Sequence, residues 1–118
     1  MATGYLNLHE EYMGVMNKNK VLKVDMLTSS PRANGFYKAG MVKKHIPGMY
    51  RANEYNMLKA NKKQGNVSIH EWEKGEWTYH AKGAWLYEKD DPRPDLPVMT
   101  VIGSSNYSHR SNRRDTEC

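Results

Sequence analysis

The amino-acid sequence predicts an α/β domain in which helices flank a mixed β-sheet. Segments with helical periodicity alternate with short runs that are typical of strands, and this alternation favours an α/β layer. The last strands are separated by short turns rather than by helices, which indicates antiparallel pairing in that part of the sheet. The chain has 118 residues, enough for one domain or for half of a larger one.

Three helices are predicted from the spacing of apolar residues. The first covers residues 6–17, with Asn7 as its N-cap. Pro47 suits the first turn of a second helix, which extends to Lys62. A short third helix is expected within residues 103–114, after the last strand.

Four strands are predicted from short runs that are rich in β-branched and aromatic residues. They cover residues 21–27, 67–72, 77–87 and 98–102. A loop over residues 28–35 follows the first of these strands. Residues 73–76 predict a hairpin turn between the second and third strands, and the Pro-rich residues 90–97 form a loop before the last one.

Composition restricts the classes of function. The 18 Lys and Arg residues exceed the 13 Asp and Glu residues, and the net charge of +5 suits an anionic substrate, nucleic acid or an acidic lipid surface. No apolar run approaches the ~20 residues that cross a bilayer, and the start of the chain lacks the features of a secretory signal or a transit peptide. The single cysteine, Cys118, excludes an internal disulfide and a cysteine-based zinc site.

The first chemically informative segment is His80-Ala81-Lys82. If this segment is a strand, His80 and Lys82 project from the same face because they are two residues apart. A histidine there could attack or protonate a phosphoryl group while the lysine neutralises a non-bridging oxygen. The pair alone is weak evidence, because a histidine and a lysine at this spacing are mostly structural or solvated.

A second polar motif follows the last predicted strand. Gly103 permits a tight turn there, and Ser104 and Asn106 supply groups that can bind phosphate oxygens. Arg110 and the acidic Glu117 come next along the chain. The conjunction of both motifs is more specific than either one and indicates phosphoryl chemistry.

This combination resembles the signature of the phospholipase D superfamily, an H-x-K motif followed by G-S-x-N. The seventh residue after the histidine, an aspartate in that superfamily, is Tyr87 here. The loop over residues 90–97 also lengthens the spacing between His80 and Gly103. The resemblance implies an α/β sandwich in which two H-x-K motifs, one from each half, meet at a single site.

The sequence is also similar to the family of mitochondrial phosphatidylglycerophosphate synthases, in which both departures are found. The similar segments are residues 2–8, 30–36, 77–85 and 100–107. Their order is that of the family's C-terminal half. The resemblance therefore implies that residues 1–118 form one incomplete lobe of a phospholipase D-like fold, and that the first H-x-K motif lies upstream.

The resemblance implies transfer of the phosphatidyl group of CDP-diacylglycerol to glycerol 3-phosphate, with release of CMP. His80 would be the catalytic histidine of this half, either as nucleophile or as general acid and base. Lys82 and Asn106 would hold phosphoryl oxygens, and Glu117 would orient a histidine across the site. The implied substrate-binding residues are Asn34, Gly35, Ser104 and Arg110. For Asn34 and Gly35, a purely structural role in a turn stays open.

The sequence leaves three functions open. In the first, the chain forms half of a phosphatidyltransferase site, which needs the N-terminal lobe or a second copy for activity. In the second, it is a phosphodiesterase or nuclease in which two copies pair and bring two His80 residues together. In the third, it is a non-catalytic fragment. The first function implies peripheral contact with the mitochondrial inner membrane. It requires no metal or other cofactor, involves no nucleic acid, and implies that the fragment alone is inactive.

Overall fold

Five strands form one mixed sheet in the computed structural model, which describes residues 1–113. In chain order the strands are β1 (Ala2–Thr3), β2 (Val24–Ser29), β3 (Val67–Trp72), β4 (Lys82–Leu86) and β5 (Met99–Ile102), and the helices are α1 (Glu10–Lys18), α2 (Ile46–Asn61) and α3 (His109–Arg113). Across the sheet the strand order is β3-β2-β1-β4-β5. Strands β1, β2 and β3 are parallel, whereas β4 is antiparallel to both of its neighbours. The predicted mixed α/β sheet is confirmed.

Helix α1 begins later than the sequence predicts. It starts at Glu10, and its N-cap is His9 rather than Asn7, since the backbone N–H of Glu11 donates to Nδ1 of His9 over 3.2 Å. The residues before the cap are extended because Leu6, which is 1% exposed, enters the hydrophobic core. The free energy gained by burying Leu6 outweighs the preference for a helix that the spacing of the neighbouring apolar residues predicts.

The predicted hairpin between residues 67–72 and 77–87 is wrong. Strand β3 lies at one edge of the sheet beside β2, whereas β4 lies between β1 and β5. Residues 77–81 precede β4 without being part of it, and the backbone N–H of Tyr79 donates to the carbonyl of Ala33 over 2.8 Å. The two residues of β1 separate the two predicted partners, and no local pattern could reveal this insertion.

The hydrophobic core lies between the sheet and the two longer helices. Its buried members are Leu6, Met16, Met26, Met57 and Val67. Met26 and Val67 share one face of the sheet, and Met16 of α1 and Met57 of α2 both pack against that face. On the opposite face, the paired residues Asp25 and Ser68 are exposed. In residues 1–113, α1 and α2 therefore cover the same side of the sheet.

A network of asparagines joins the C-terminal end of α2 to the sheet. Asn61, which is 3% exposed, accepts the backbone N–H of Val67 and donates to Asn66 over 2.8 Å. Asn66 in turn donates to the carbonyl of Leu22 over 2.8 Å. These bonds satisfy buried polar groups at the start of β2 and β3 and hold α2 in place over the sheet.

Helix α2 also carries a buried carboxyl group, Glu54, which is 7% exposed. Burial, together with the charge of the adjacent Glu71 on β3 and a hydrogen bond between the two carboxyl groups, raises the pKa of Glu54 from 4.5 to about 7. Arg51 forms two hydrogen bonds with Glu71, of 3.1 and 3.0 Å, and the positive charge of Arg51 opposes the shift. Glu54 therefore keeps a proton near neutral pH, so that one carboxyl donates to the other.

We expect Glu54→Gln to stabilise the fold at pH 8 by a few degrees in Tm, with a smaller gain at pH 5. The folded pKa of Glu54 lies above its unfolded value, so the stability from its protonated form is fully present below about pH 4.5 and is lost as the pH rises through 7. Thermal unfolding at both pH values measures the difference. The exposed Glu88→Gln is the control, and an equal change in Tm at pH 5 and pH 8 would contradict the shift.

Candidate active site

Thr3 connects residues from both sequence motifs. It is fully buried in β1, where it pairs with Thr28 of β2 and with Lys82 of β4. Its hydroxyl group shares its hydrogen between the carbonyl of Tyr5, at 3.2 Å, and Oδ1 of Asn106, at 3.3 Å. These contacts place both Lys82 and Asn106 beside Thr3, although the two residues come from separate parts of the chain.

His80 and Lys82 do not share a strand. His80 lies in the exposed segment before β4, and Lys82 is the first residue of β4 and is 8% exposed. The ammonium group of Lys82 donates to the backbone carbonyl of His80 over 3.0 Å. The prediction of a common strand face is wrong, and the two residues are linked instead by this hydrogen bond from the lysine side chain to the histidine backbone.

Gly4 is the reason that the His80 segment can lie so close to β1. A Cβ atom at position 4 would lie 3.2 Å from the carbonyl oxygen of Tyr79 and 3.4 Å from Cα of His80. Both contacts are with backbone, which cannot rotate away as a flexible side chain can. Any larger residue at this point would push the two segments apart by a few tenths of an ångström.

An aromatic cluster of Tyr5, Phe36, Tyr50 and His80 forms one wall of the site. The ring of Tyr5 lies 5.3 Å from that of Tyr50, 5.7 Å from Phe36 and 6.0 Å from the imidazole of His80, which it meets edge to face. Burial raises the pKa of Tyr5 and of Tyr50. Both phenols are therefore neutral hydrogen-bonding groups, and Tyr5 restricts the orientation of the imidazole.

Arg110 also lies at this cluster. Burial and then Tyr5 raise the pKa of Tyr50, and the positive charge of Arg110 opposes them with a smaller effect. The segment that carries Arg110 returns to the start of α1, where the backbone N–H of His9 donates to the carbonyl of Tyr107 over 2.9 Å and the rings of His9 and His109 stack at 5.1 Å. Ser104 is exposed in the turn after β5, and Glu117 lies outside the described residues.

Asn34 and Gly35 lie beside the aromatic cluster. A Cβ atom on Gly35 would lie 3.0 Å from the hydroxyl of Tyr5. Asn34 is 2% exposed, and its side-chain oxygen accepts the backbone N–H of Phe36 over 3.0 Å, so it does form the turn that its sequence context suggested. Both residues also line an open cleft of about 510 Å³. The structural role and a role in binding are therefore compatible.

Sequence reasoning missed the roles of Thr3, Gly4 and Tyr5. From the sequence, residues 2–8 were recognisable only as a region that resembles the family. A buried threonine, a glycine at a close approach and an aromatic residue in direct succession were the available signal. It acquires meaning only once residues 79 and 80 are known to pack against it.

The described residues contain neither a metal-binding cluster nor a membrane-spanning helix. Within residues 1–113, no group of three or more His, Cys, Asp or Glu side chains is arranged to hold a metal ion. None of the helices in that part of the chain is long and apolar enough to cross a bilayer.

The fold is that of a phospholipase D-like α/β lobe. A crystal structure of phosphatidylserine synthase from Haemophilus influenzae superposes with a TM-score of 0.62 at 23% sequence identity, covering 71% of this chain and 21% of that one. This likeness concerns the fold alone.

The sequence comparison identifies the family. CDP-diacylglycerol–glycerol-3-phosphate 3-phosphatidyltransferases from Saccharomyces pastorianus and Gallus gallus are 36% and 38% identical to this chain over 98% and 99% of its length. The chain belongs to this family. It spans 24% and 21% of the length of these two relatives and corresponds to a segment of them. No family model matches the sequence.

Gly4→Ala should displace His80 and destabilise the fold by about 1–3 kcal/mol, because the added methyl group meets backbone atoms on a packed segment. The imidazole resonances of His80 in NMR spectra report the displacement, and thermal unfolding reports the stability. Gly14→Ala is the matched control, since a Cβ there meets nothing within 4 Å. Replacing glycine within α1 should stabilise the fold by roughly 0.5–1 kcal/mol. Unchanged His80 resonances in Gly4→Ala would refute the assigned role of Gly4.

Proposed function

We propose that this chain carries one half of the active site of a phosphatidyltransferase. The reaction would move the phosphatidyl group of CDP-diacylglycerol to glycerol 3-phosphate and release CMP. The observation that carries the proposal is the arrangement around Thr3, where Lys82 of the first motif and Asn106 of the second meet beside His80. The names of the relatives support the choice of substrates.

In the first step, a nucleophile would attack the phosphorus that bears the diacylglycerol group. The P–O bond to CMP breaks as the new bond forms, and CMP leaves with the bonding electron pair. Lys82 and Asn106 would bind the non-bridging oxygens, where negative charge must be stabilised in the transition state. Ser104 and Arg110 are the further candidates for phosphate contacts.

The second step would transfer the phosphatidyl group to the acceptor. A hydroxyl oxygen of glycerol 3-phosphate attacks the phosphorus, and a base removes its proton as the bond to the enzyme breaks. We assign His80 to the proton transfers, because an imidazole ring can both donate and accept a proton. The nucleophile would then be a histidine from outside this chain, and Glu117 would orient a histidine across the site.

The coverage of the relatives supports a site completed by other residues. The chain corresponds to 20–24% of their length, and only one H-x-K motif is present in its sequence. The remainder of a longer polypeptide, or a second copy of the chain, would supply the other histidine. The relatives from chicken, cow and mouse are named as mitochondrial, and we propose the same compartment here, with peripheral contact at the inner membrane.

The decisive experiment replaces the homologous segment of the Saccharomyces pastorianus relative with this chain and assays the chimera in detergent micelles that contain CDP-diacylglycerol. We expect release of CMP that depends on glycerol 3-phosphate. His80→Ala and Lys82→Ala should each lower the rate by about 10²–10⁴-fold, the usual contribution of a positioned acid, base or charge.

His70→Ala and Lys74→Gln are the matched controls, because both side chains are exposed and lie outside the site. They should leave the rate unchanged. A chimera that keeps its rate after His80→Ala would refute the proposal. Cleavage of single-stranded DNA by the chain without CMP release would instead support the phosphodiesterase alternative.

A further inference from the structure

We propose that the open cleft next to the segment that carries His80 binds the acceptor substrate, with Arg32 and Lys38 holding its phosphate and Glu76 and Thr78 its hydroxyl groups. The inference rests on the proposed function and assigns the position of one substrate within it. The cleft has a volume of about 510 Å³ and is lined by Arg32, Asn34, Gly35, Tyr37, Lys38, Gly75, Glu76 and Thr78. We call it the acceptor cleft.

The position of the acceptor cleft fits a substrate that reacts at His80. Thr78 lies two residues before His80, and the segment between them is tied to the loop at position 33 by the hydrogen bond from Tyr79. Gly35 contributes to the cleft and also contacts Tyr5, whose ring meets the imidazole. A ligand in the cleft therefore lies next to the His80 segment, while Lys82 and Asn106 lie at Thr3 on β1.

Arg32 and Lys38, the two cations of the cleft, keep N–H groups that can bind a ligand. Arg32 is largely exposed, and its one ion pair among residues 1–113 is a 3.6 Å contact with Glu73. The carboxylate of Glu73 also accepts a 2.6 Å hydrogen bond from Ser30, which anchors it beside the guanidinium. Lys38 lies over the ring of Tyr37 at 5.5 Å. Its backbone has φ of 62°, a conformation that costs free energy in a residue other than glycine and that persists at functional sites.

Asn34 supplies a hydrogen-bond donor at the cleft. The side chain is 2% exposed, and its oxygen is already used by the backbone N–H of Phe36. Within residues 1–113, the Nδ2 group of Asn34 has no hydrogen-bond partner. The N–H groups of this amide are therefore available to a ligand in the cleft that Asn34 lines.

The lining favours glycerol 3-phosphate over the other groups of the proposed reaction. Tyr37 carries the only large apolar surface among the eight lining residues, and one face of its ring is occupied by Lys38. An acyl chain or a cytosine ring would find little to pack against. A phosphate of glycerol 3-phosphate can pair with Arg32 and Lys38, and its hydroxyl groups can donate to the carboxylate of Glu76, which would repel a bare phosphate.

The test is binding of sn-glycerol 3-phosphate to the 118-residue chain, followed by NMR shifts of the backbone amides, with glycerol, inorganic phosphate and CMP as competing probes. We expect glycerol 3-phosphate to shift residues 32–38 and 75–78 and to bind more tightly than the other three. Arg32→Gln and Lys38→Gln should each weaken its binding about tenfold, the equivalent of one charged hydrogen bond. Glu76→Gln should strengthen binding of inorganic phosphate and reduce the advantage of glycerol 3-phosphate.

Two matched substitutions serve as controls. Arg93 is exposed to a similar degree as Arg32 and also has one carboxylate partner, Asp91 at 3.4 Å. Lys74 lies 5.5 Å from the ring of Trp77, as Lys38 does from Tyr37. Arg93→Gln and Lys74→Gln should leave the affinity unchanged, and the melting temperature of each variant shows whether it is folded.

Equal weakening by the control variants, tighter binding of CMP or inorganic phosphate, or no binding of glycerol 3-phosphate would each overturn the inference. In an active chimera, Arg32→Gln should raise the KM for glycerol 3-phosphate with little change in kcat, and an unchanged KM would overturn the inference while the proposed function stands. A chimera without any transfer activity would count against the proposed function. In that case, the measurement of glycerol 3-phosphate binding to the isolated chain would still show whether the acceptor cleft binds this ligand.

Discussion

The pairing of Thr3 within β1 is the constraint on which the rest of the structure depends. This strand has only two residues, yet it joins the parallel strands β2 and β3 to the antiparallel pair of β4 and β5. Its backbone is bonded on both sides, and the hydroxyl of Thr3 extends the connection to Asn106. Without β1, the parallel and antiparallel parts of the sheet would share no ladder, whereas the two motifs are already brought together by the pairing of β4 with β5.

The residues that follow β1 pack against the segment that carries His80. Gly4 admits the His80 segment to van der Waals distance, and Tyr5 meets the imidazole with its ring. The same tyrosine ring lies 5.7 Å from that of Phe36, so Tyr5 stands between the loop after β2 and the histidine. Three consecutive residues thus connect the proposed phosphoryl-binding groups, Lys82 and Asn106, with the loop that lines the proposed acceptor cleft.

Helix α2 stabilises this arrangement from above the sheet, and it does so with a chemically mixed face. Tyr50, Glu54, Met57 and Asn61 follow one another at helical spacing. They contact, in turn, the aromatic cluster, a carboxylate on β3, the hydrophobic core and the asparagine network. Such a face is less stabilising than a purely apolar one, since each buried polar group needs a partner. It also makes the position of the helix specific, because each partner lies at one place on the sheet.

The sequence by itself determined the α/β class, helix α2, strand β3 and the two motifs, because periodicity and motif spacing are local properties. Its resemblance to a family was sufficient to identify the chain, as the comparison with relatives confirms. Only the tertiary structure decided that β1 separates β3 from β4, that His80 lies before a strand, and that Thr3, Gly4 and Tyr5 pack beside the residues of the two motifs. These features depend on pairing between residues far apart in the chain, such as Thr3 with Lys82, for which a single sequence carries no local signal.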